Sequence, residues 1–197
     1  MKEASGRYFF NADEVITVSF NNDILYLNWR GSDLKPLKVN DSTFYVAEMN
    51  EKLIFNTFKK NIILAEKREH KGRTYTFDKL EINEKTPSEY LENGDFTRAL
   101  KGFLKIQKKD SLNPVIRERT LNSIGYQFLK INEMEKAIGI FTINTKLYPN
   151  SSNTFDSLGD SYLKQKDTVL AMENYEKSLA INPENKSSRR QLNKLKK

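Results

Sequence analysis

Residues 121–149 read LNSIGYQFLKINEMEKAIGIFTINTKLYP, and residues 155–183 read FDSLGDSYLKQKDTVLAMENYEKSLAINP. Set one over the other they match at a constant offset of 34: Leu121, Ile124, Gly125, Phe128, Ala137, Phe141 and Pro149 recur as Phe155, Leu158, Gly159, Tyr162, Ala171, Tyr175 and Pro183. The order describes a helix-turn-helix unit. The glycine and the alanine let its two helices approach closely, and the closing proline stops the second helix because proline cannot continue it. Phe128 with Phe141, and Tyr162 with Tyr175, are expected to fill the space between successive units. One unit cannot bury its apolar face alone, so neighbours must stack.

That period and residue pattern resemble the tetratricopeptide repeat. A partial first repeat precedes the two full ones, with Tyr90, Gly94, Phe96, Ala99 and Phe103 in the expected places. Pro114 arrives three residues late, which predicts a second helix one turn longer, while Pro87 replaces the first glycine and predicts a shortened first helix starting near it. About two and a half repeats over residues 88–185 result, followed at 186–197 by KSSRRQLNKLKK, read as a capping helix whose Ser188, Leu192 and Leu195 cover the end of the stack.

Upstream the period is two. Ile16, Val18 and Phe20 alternate with Val15, Thr17 and Ser19, and Leu25, Leu27 and Trp29 with Ile24, Tyr26 and Asn28, as in half-buried strands. Asn21-Asn22-Asp23 supplies a tight hairpin between them, and Gly31-Ser32-Asp33 the next turn. Further strands are expected near Leu34–Val39, Thr43–Glu48, Leu53–Phe58, Ile62–Lys67 and Arg73–Phe77. Seven or eight strands in residues 6–80 suggest a small antiparallel up-and-down β-barrel filled by its own side chains. Residues 1–5 read as a disordered lead and 81–87 (EINEKTP) as a linker, so the fold class is a two-domain α+β chain, barrel first and helical repeats second.

Composition sets limits. A 38% apolar and 30% charged chain of 197 residues can bury a core, no apolar run approaches a membrane span, and the opening lacks the order of a secretory signal. Without cysteine there is no disulfide or thiolate chemistry. The net charge of +7 is a tail property: residues 186–197 hold six Lys and Arg and no acid, leaving +1 on the body. The bland reading, a solvated outer face on the cap, outweighs attraction to nucleic acid or anionic lipid.

Gly6-x-Tyr8, Leu25-x-Leu27, Gly31, Leu34, Leu37, Phe44, Phe55 and Gly72 resemble the small β-barrel that follows the catalytic domain in serine hydrolases of the β-lactamase and penicillin-binding-protein type. With the repeats, including Tyr148-Pro149-Asn150-Ser151 and Asp156-Ser157-Leu158-Gly159, the chain is similar to the C-terminal region of such hydrolases in Bacteroidetes-type bacteria. This implies a catalytic domain upstream of Met1 and an envelope location, against a cytoplasmic one for a free-standing module. The family's Ser-x-x-Lys occurs as Ser32-Asp33-Leu34-Lys35 and Ser161-Tyr162-Leu163-Lys164, but the first falls in a predicted hairpin, the second in a repeat helix, and no Lys-Thr-Gly follows. His70, the single histidine, reads as an exposed turn residue beside Lys71-Gly72, and no phosphate loop, metal-ligand set or cofactor motif is present.

The chain therefore reads as a non-enzymatic binding module. By helical spacing the concave face is lined by Arg119, Asn122, Tyr126, Leu129 and Lys130 in the second repeat and by Asn153, Asp156, Asp160, Leu163 and Lys164 in the third. Asn side chains there suit an extended peptide backbone and Tyr126 a contact anchor; equally, these are ordinary solvated helix positions. Repeats of the class that holds chaperone tails clamp a terminal carboxylate with Lys, Asn and Arg, and Asp156 and Asp160 oppose that. The expected partner is a protein or peptide, or an upstream domain of the same polypeptide.

Overall fold

The computed structural model describes residues 2–196. They fall into two units, Met1–Thr86 and Pro87–Lys197.

The first unit is built from nine antiparallel strands: β1 (Gly6–Asn11), β2 (Glu14–Asn21), β3 (Ile24–Trp29), β4 (Ser32–Leu34), β5 (Leu37–Lys38), β6 (Thr43–Val46), β7 (Glu51–Asn56), β8 (Asn61–Leu64) and β9 (Thr76–Asp78). The alternation decides which side chains enter. Ile16, Val18, Leu25 and Leu27 are buried, while Thr17, Ser19 and Asn28 between them are exposed. Asn22 and Asp23 both take left-handed backbone, the geometry a two-residue hairpin needs.

The strands do not close into one barrel. They form two sheets, ordered β1-β2-β3-β4 and β5-β6-β7-β8-β9. The expected strand Leu34–Val39 is split at Lys35-Pro36, because Pro36 has no N–H to donate and interrupts the ladder. On the other side, no ladder joins β1 to β9: their backbones are linked by an isolated bridge, Tyr8 to Lys79, and the bond from Leu80 N–H to Arg7 O at 2.8 Å, while the Phe10 and Phe77 rings pack with centroids 5.2 Å apart. Both sheets nevertheless share one core, in which Tyr8, Ile16, Leu27, Phe44, Leu53, Phe55 and Ile62 pack together.

Two local expectations are corrected. Lys2–Ala4 form a 3₁₀ turn, and Ala4 is buried with its carbonyl accepting the Tyr8 hydroxyl at 2.7 Å, so the segment is pinned rather than loose; Met1 lies outside the described residues. His70 is buried, not exposed. Its Nε2 lies 3.2 Å from Glu51 Oε1 on β7, which also pairs with Lys67 at 2.5 Å, and its ring meets Tyr75 edge-on. Burial pushes the Glu51 carboxyl up, but the hydrogen bonds from Lys67 and His70 outweigh it and hold the group below its ordinary range.

The second unit runs α1 (Pro87–Glu92), α2 (Phe96–Lys109), α3 (Glu118–Lys130), α4 (Met134–Leu147), α5 (Ser152–Gln165), α6 (Thr168–Ile181) and α7 (Lys186–Leu195). Lys197 lies outside the described residues. In each helix pair the first helix ends alike: Gly94, Asn132 and Lys166 are left-handed, and Asp95, Glu133 and Asp167 donate their N–H back to the carbonyls of Tyr90, Phe128 and Tyr162 at 2.8–2.9 Å. These bonds satisfy carbonyls that the helix leaves without partners. Helix α2 has 14 residues, as α4 and α6 do, so it is not a turn longer; the residues before Pro114 instead form a loop, and Pro114–Ile116 a 3₁₀ turn.

The repeat glycines also act differently from expectation. A Cβ on Gly125 would lie 2.5 Å from the Phe141 ring, and one on Gly159 2.7 Å from the Tyr175 ring. Each glycine makes room for an aromatic ring of its own repeat, rather than for a neighbouring backbone. Phe128, Leu129, Ala137, Phe141, Leu158 and Tyr162 join the second repeat to the third, and Leu192 of α7 closes the stack over Ala171 and Tyr175.

Candidate functional site

Helices α3 and α5 are the first helices of successive repeats, and the outward positions of one meet those of the other. Three bonds mark the seam. Asn153 Nδ2 donates to Glu118 Oε1 at 2.9 Å, the Tyr126 hydroxyl donates to Asp160 Oδ2 at 2.9 Å, and Lys164 Nζ donates to the Leu129 carbonyl. Tyr126 also lies 3.3 Å from Ser157 Oγ, and its ring packs edge-on against Phe141 with centroids 5.2 Å apart.

Asp160 has a second donor, the Tyr175 hydroxyl at 2.8 Å, so one carboxylate ties α3, α5 and α6 together. Burial, then the neighbouring Asp160 charge, pushes both phenol groups up, and they remain protonated donors at any ordinary pH. One turn earlier on α5, Asp156 is buried and accepts from Ser188 Oγ of α7. Ser188 is in turn 2.8 Å from Ser178 Oγ, to which Asn185 Nδ2 donates at 2.9 Å. Burial raises the Asp156 carboxyl, as does the Asp160 charge, against the opposing hydrogen bond from Ser188 and the positive Arg190.

The ten positions expected to line the face thus divide. Tyr126, Asn153, Asp156, Asp160 and Lys164 make bonds between helices. Leu129 is a core residue, buried between the second and third repeats, and Leu163 packs in the cluster beneath α7. Arg119 and Lys130 are exposed, with no hydrogen bond or ion pair among the described residues. Asn122 is half-buried between two seam bonds, one turn after Glu118 and one turn before Tyr126, and its Oδ1 is shielded from solvent with no partner. Its counterpart one repeat later is Asp156, which is drawn to Ser188 instead. The roles of Ser157, Ser178 and Asn185 escaped the sequence reading, which placed Ser188 on the covering face of the cap without its bond to Asp156; only the repeat offset, which sets Tyr126 opposite Asp160, foreshadowed any of these bonds.

The two serines of the Ser-x-x-Lys matches, which the sequence reading set aside as catalytic candidates, are accounted for structurally. Ser161 is fully buried and donates to the Leu158 carbonyl at 2.6 Å, while Ser32 is exposed at the start of β4. Among the described residues no group of three or more His, Asp or Glu could hold a metal ion, and no helix is long and apolar enough to cross a membrane.

No family model matches the chain. Over 96 residues, 48% of its length, it is 31% identical to the tetratricopeptide repeat domain-containing protein PYG7, chloroplastic, of Arabidopsis thaliana, of which the alignment spans 32%. The chain therefore covers about a third of that protein. Among solved structures it is similar to the second tetratricopeptide domain of human RPAP3 in complex with an HSP70 peptide, at 22% identity, TM-score 0.40, covering 56% of this chain and 89% of that one. It is also similar to the Sgt2 tetratricopeptide domain from Aspergillus fumigatus, at 19% identity, TM-score 0.40, covering 56% and 72%. The 34-residue repeat and the paired helices with their common terminal bonds give the helical unit the organisation of tetratricopeptide repeats, in keeping with its similarity to the Arabidopsis protein.

Proposed function

We propose that this chain is a non-catalytic binding module whose α3–α5 face holds an extended segment of a protein partner. The observation that carries the reading is Asn122. A buried carboxamide oxygen without a donor costs about 1–3 kcal/mol, and a peptide N–H laid along the seam would satisfy it. Arg119 and Lys130 flank it as uncommitted cations, suiting acidic side chains of the segment, while Asp156 and Asp160 disfavour a terminal carboxylate there. Tyr126 serves the seam first, its hydroxyl held by Asp160.

The test starts from a random peptide library displayed on phage and selected on the full chain, followed by anisotropy titration of enriched sequences. Asn122→Ala should weaken them roughly tenfold with a melting temperature no lower than the parent's, since it also removes the unpaired oxygen, and Arg119→Glu should weaken acidic sequences most. Enriched peptides that bind Asn122→Ala and Arg119→Glu as well as the parent would sink the assignment.

A narrower reading makes the two units the accessory part of a serine hydrolase, with the partner an upstream domain of the same polypeptide in the cell envelope. It is supported by the resemblance of residues 6–80. The chemistry would then belong to that other domain. Turnover of a lactam or ester reporter by the purified chain, abolished by Ser32→Ala or Ser161→Ala, would overturn the non-catalytic assignment.

A further inference from the structure

The most exposed large apolar side chain among the described residues is Phe58, at 95%, and next is Ile82, at 91%. Phe58 sits at the tip of the β7–β8 hairpin, in the loop Thr57-Phe58-Lys59-Lys60. The tip is held in shape. The ladder closes at Asn56 opposite Asn61, Asn56 Oδ1 accepts the Lys59 N–H at 2.9 Å, and the Lys60 N–H returns to the Thr57 carbonyl at 3.3 Å with Lys60 in left-handed backbone. The ring is thus displayed by a rigid turn, not left on a loose loop.

Ile82 belongs to the same rim. The Lys79 N–H donates to the Lys60 carbonyl at 2.9 Å, which sets the chain leading to Ile82 beside the tip, and the turn carrying it is fixed by Glu84 N–H bonding to Glu81 O at 3.0 Å. The ammonium groups of Lys59 and Lys60 make no hydrogen bond or ion pair among the described residues, although Asp78 stands across the ladder from Asn61. A projecting aromatic ring with two uncommitted cations beside it needs no preformed pocket. A protein partner would have to supply one, whereas a bilayer surface accepts the ring between acyl chains while the lysines stay among the phosphates.

From this juxtaposition we infer that the rim of the first unit is a peripheral docking surface for an anionic lipid bilayer, with Phe58 and Ile82 inserting and Lys59 and Lys60 contacting headgroup phosphates. The attachment is shallow and reversible, since one or two apolar groups with a small basic patch give only weak anchoring. It falls with salt, because the cationic share is screened within a Debye length.

The test is co-sedimentation of the full chain with vesicles of phosphatidylcholine and phosphatidylglycerol, against phosphatidylcholine alone. Binding should favour the anionic vesicles, drop about tenfold or more in Phe58→Ser, and drop roughly fivefold per charge in Lys59→Glu and Lys60→Glu. Phe58 touches no core cluster, so these variants should melt as the parent does. Phe58→Trp should show a blue-shifted emission with anionic vesicles only, over a constant background from Trp29. Three results would overturn the inference. One is equal binding to neutral and anionic vesicles. Another is binding unchanged by Phe58→Ser but lost on deleting residues 186–197, which would assign the attraction to the basic tail. The third is no vesicle binding but concentration-dependent self-association abolished by Phe58→Ser, which would make the tip a contact between copies of the chain.

Discussion

Replacing Gly125 with alanine sets two effects of opposite sign against each other. In a helix interior, alanine is favoured over glycine by about 1 kcal/mol, so a surface site would gain stability. At Gly125 the new methyl would lie 2.5 Å from Cε1 and Cζ of Phe141 and 2.9 Å from Cδ1. Phe141 is fully buried and cannot swing into solvent, so the helices must part or the ring must leave its preferred rotamer. Overpacking of this kind costs about 1–3 kcal/mol, leaving a net loss of roughly 0–2 kcal/mol once the helix gain is subtracted. For a unit of roughly a hundred residues each kcal/mol lowers the melting temperature by about 4–8 °C. Thermal unfolding followed by the helical circular dichroism signal measures this directly. The double variant Gly125→Ala with Phe141→Leu separates sterics from backbone effects, because leucine vacates the space the methyl needs. The two changes should be coupled by more than about 0.5 kcal/mol, the pair being more stable than the sum of the singles. A single variant that melts higher than the parent, or additive singles, would refute the account of the glycine as a seat for the ring.

Two further outcomes follow from the carboxylates of α5. Asp160→Ala strands the hydroxyl of fully buried Tyr175 and should cost about 1–3 kcal/mol in urea unfolding, whereas Tyr175→Phe, which removes the donor, should cost less; equal losses would mean that neither the stranded hydroxyl nor the Tyr126 bond adds anything to the lost Tyr175 bond. For Asp156, burial first and the Asp160 charge second lift the folded-state carboxyl above its ordinary range. The folded chain then keeps a proton that the unfolded chain has already released. This contribution to stability is fully present below the unfolded value and is lost as pH rises through the folded one. Asp156→Asn retains an acceptor for Ser188 and lacks that titration, so urea midpoints of parent and variant should diverge in the variant's favour as pH rises from below the carboxylate range towards neutrality. A gap independent of pH would contradict the shift.

Whether a feature could be read from the sequence depended on how local its cause is. The repeat offset is a property of neighbouring residues, and it located both helices of each full repeat and the aromatic that meets each glycine, although not the reason for the glycine. Proline acts locally too: Pro36 carries in its missing N–H the reason why the strands divide into two sheets, and a reading that ran a strand from Leu34 to Val39 passed over it. His70 lay beyond such reasoning. Its neighbours Lys71 and Gly72 signal an exposed turn, while the group that draws it inward, Glu51, belongs to a different strand. Hydroxyl bonds such as that of Ser188 to Asp156 depend equally on which helix ends up opposite which.

The same distinction explains why the outward stripe of α3 and α5 is a poor guide to what is free to bind. Positions one repeat apart stand next to each other in a stacked array, so polar residues there pair across the seam before any partner arrives, as Tyr126 does with Asp160. The Asn122 amide nitrogen makes no such bond, because its counterpart Asp156 is occupied by Ser188 of α7. The capping helix therefore does more than end the stack: by holding Asp156 it keeps that carboxylate from the Asn122 amide nitrogen and leaves the Asn122 side chain free to turn to a partner. On this view the binding capacity of the second repeat depends on α7, and Ser188→Ala, which frees Asp156, should weaken selected peptides along with Asn122→Ala even though Ser188 itself is fully buried and touches no ligand. Peptide affinity unchanged by Ser188→Ala in a chain that still folds would separate the cap from the site.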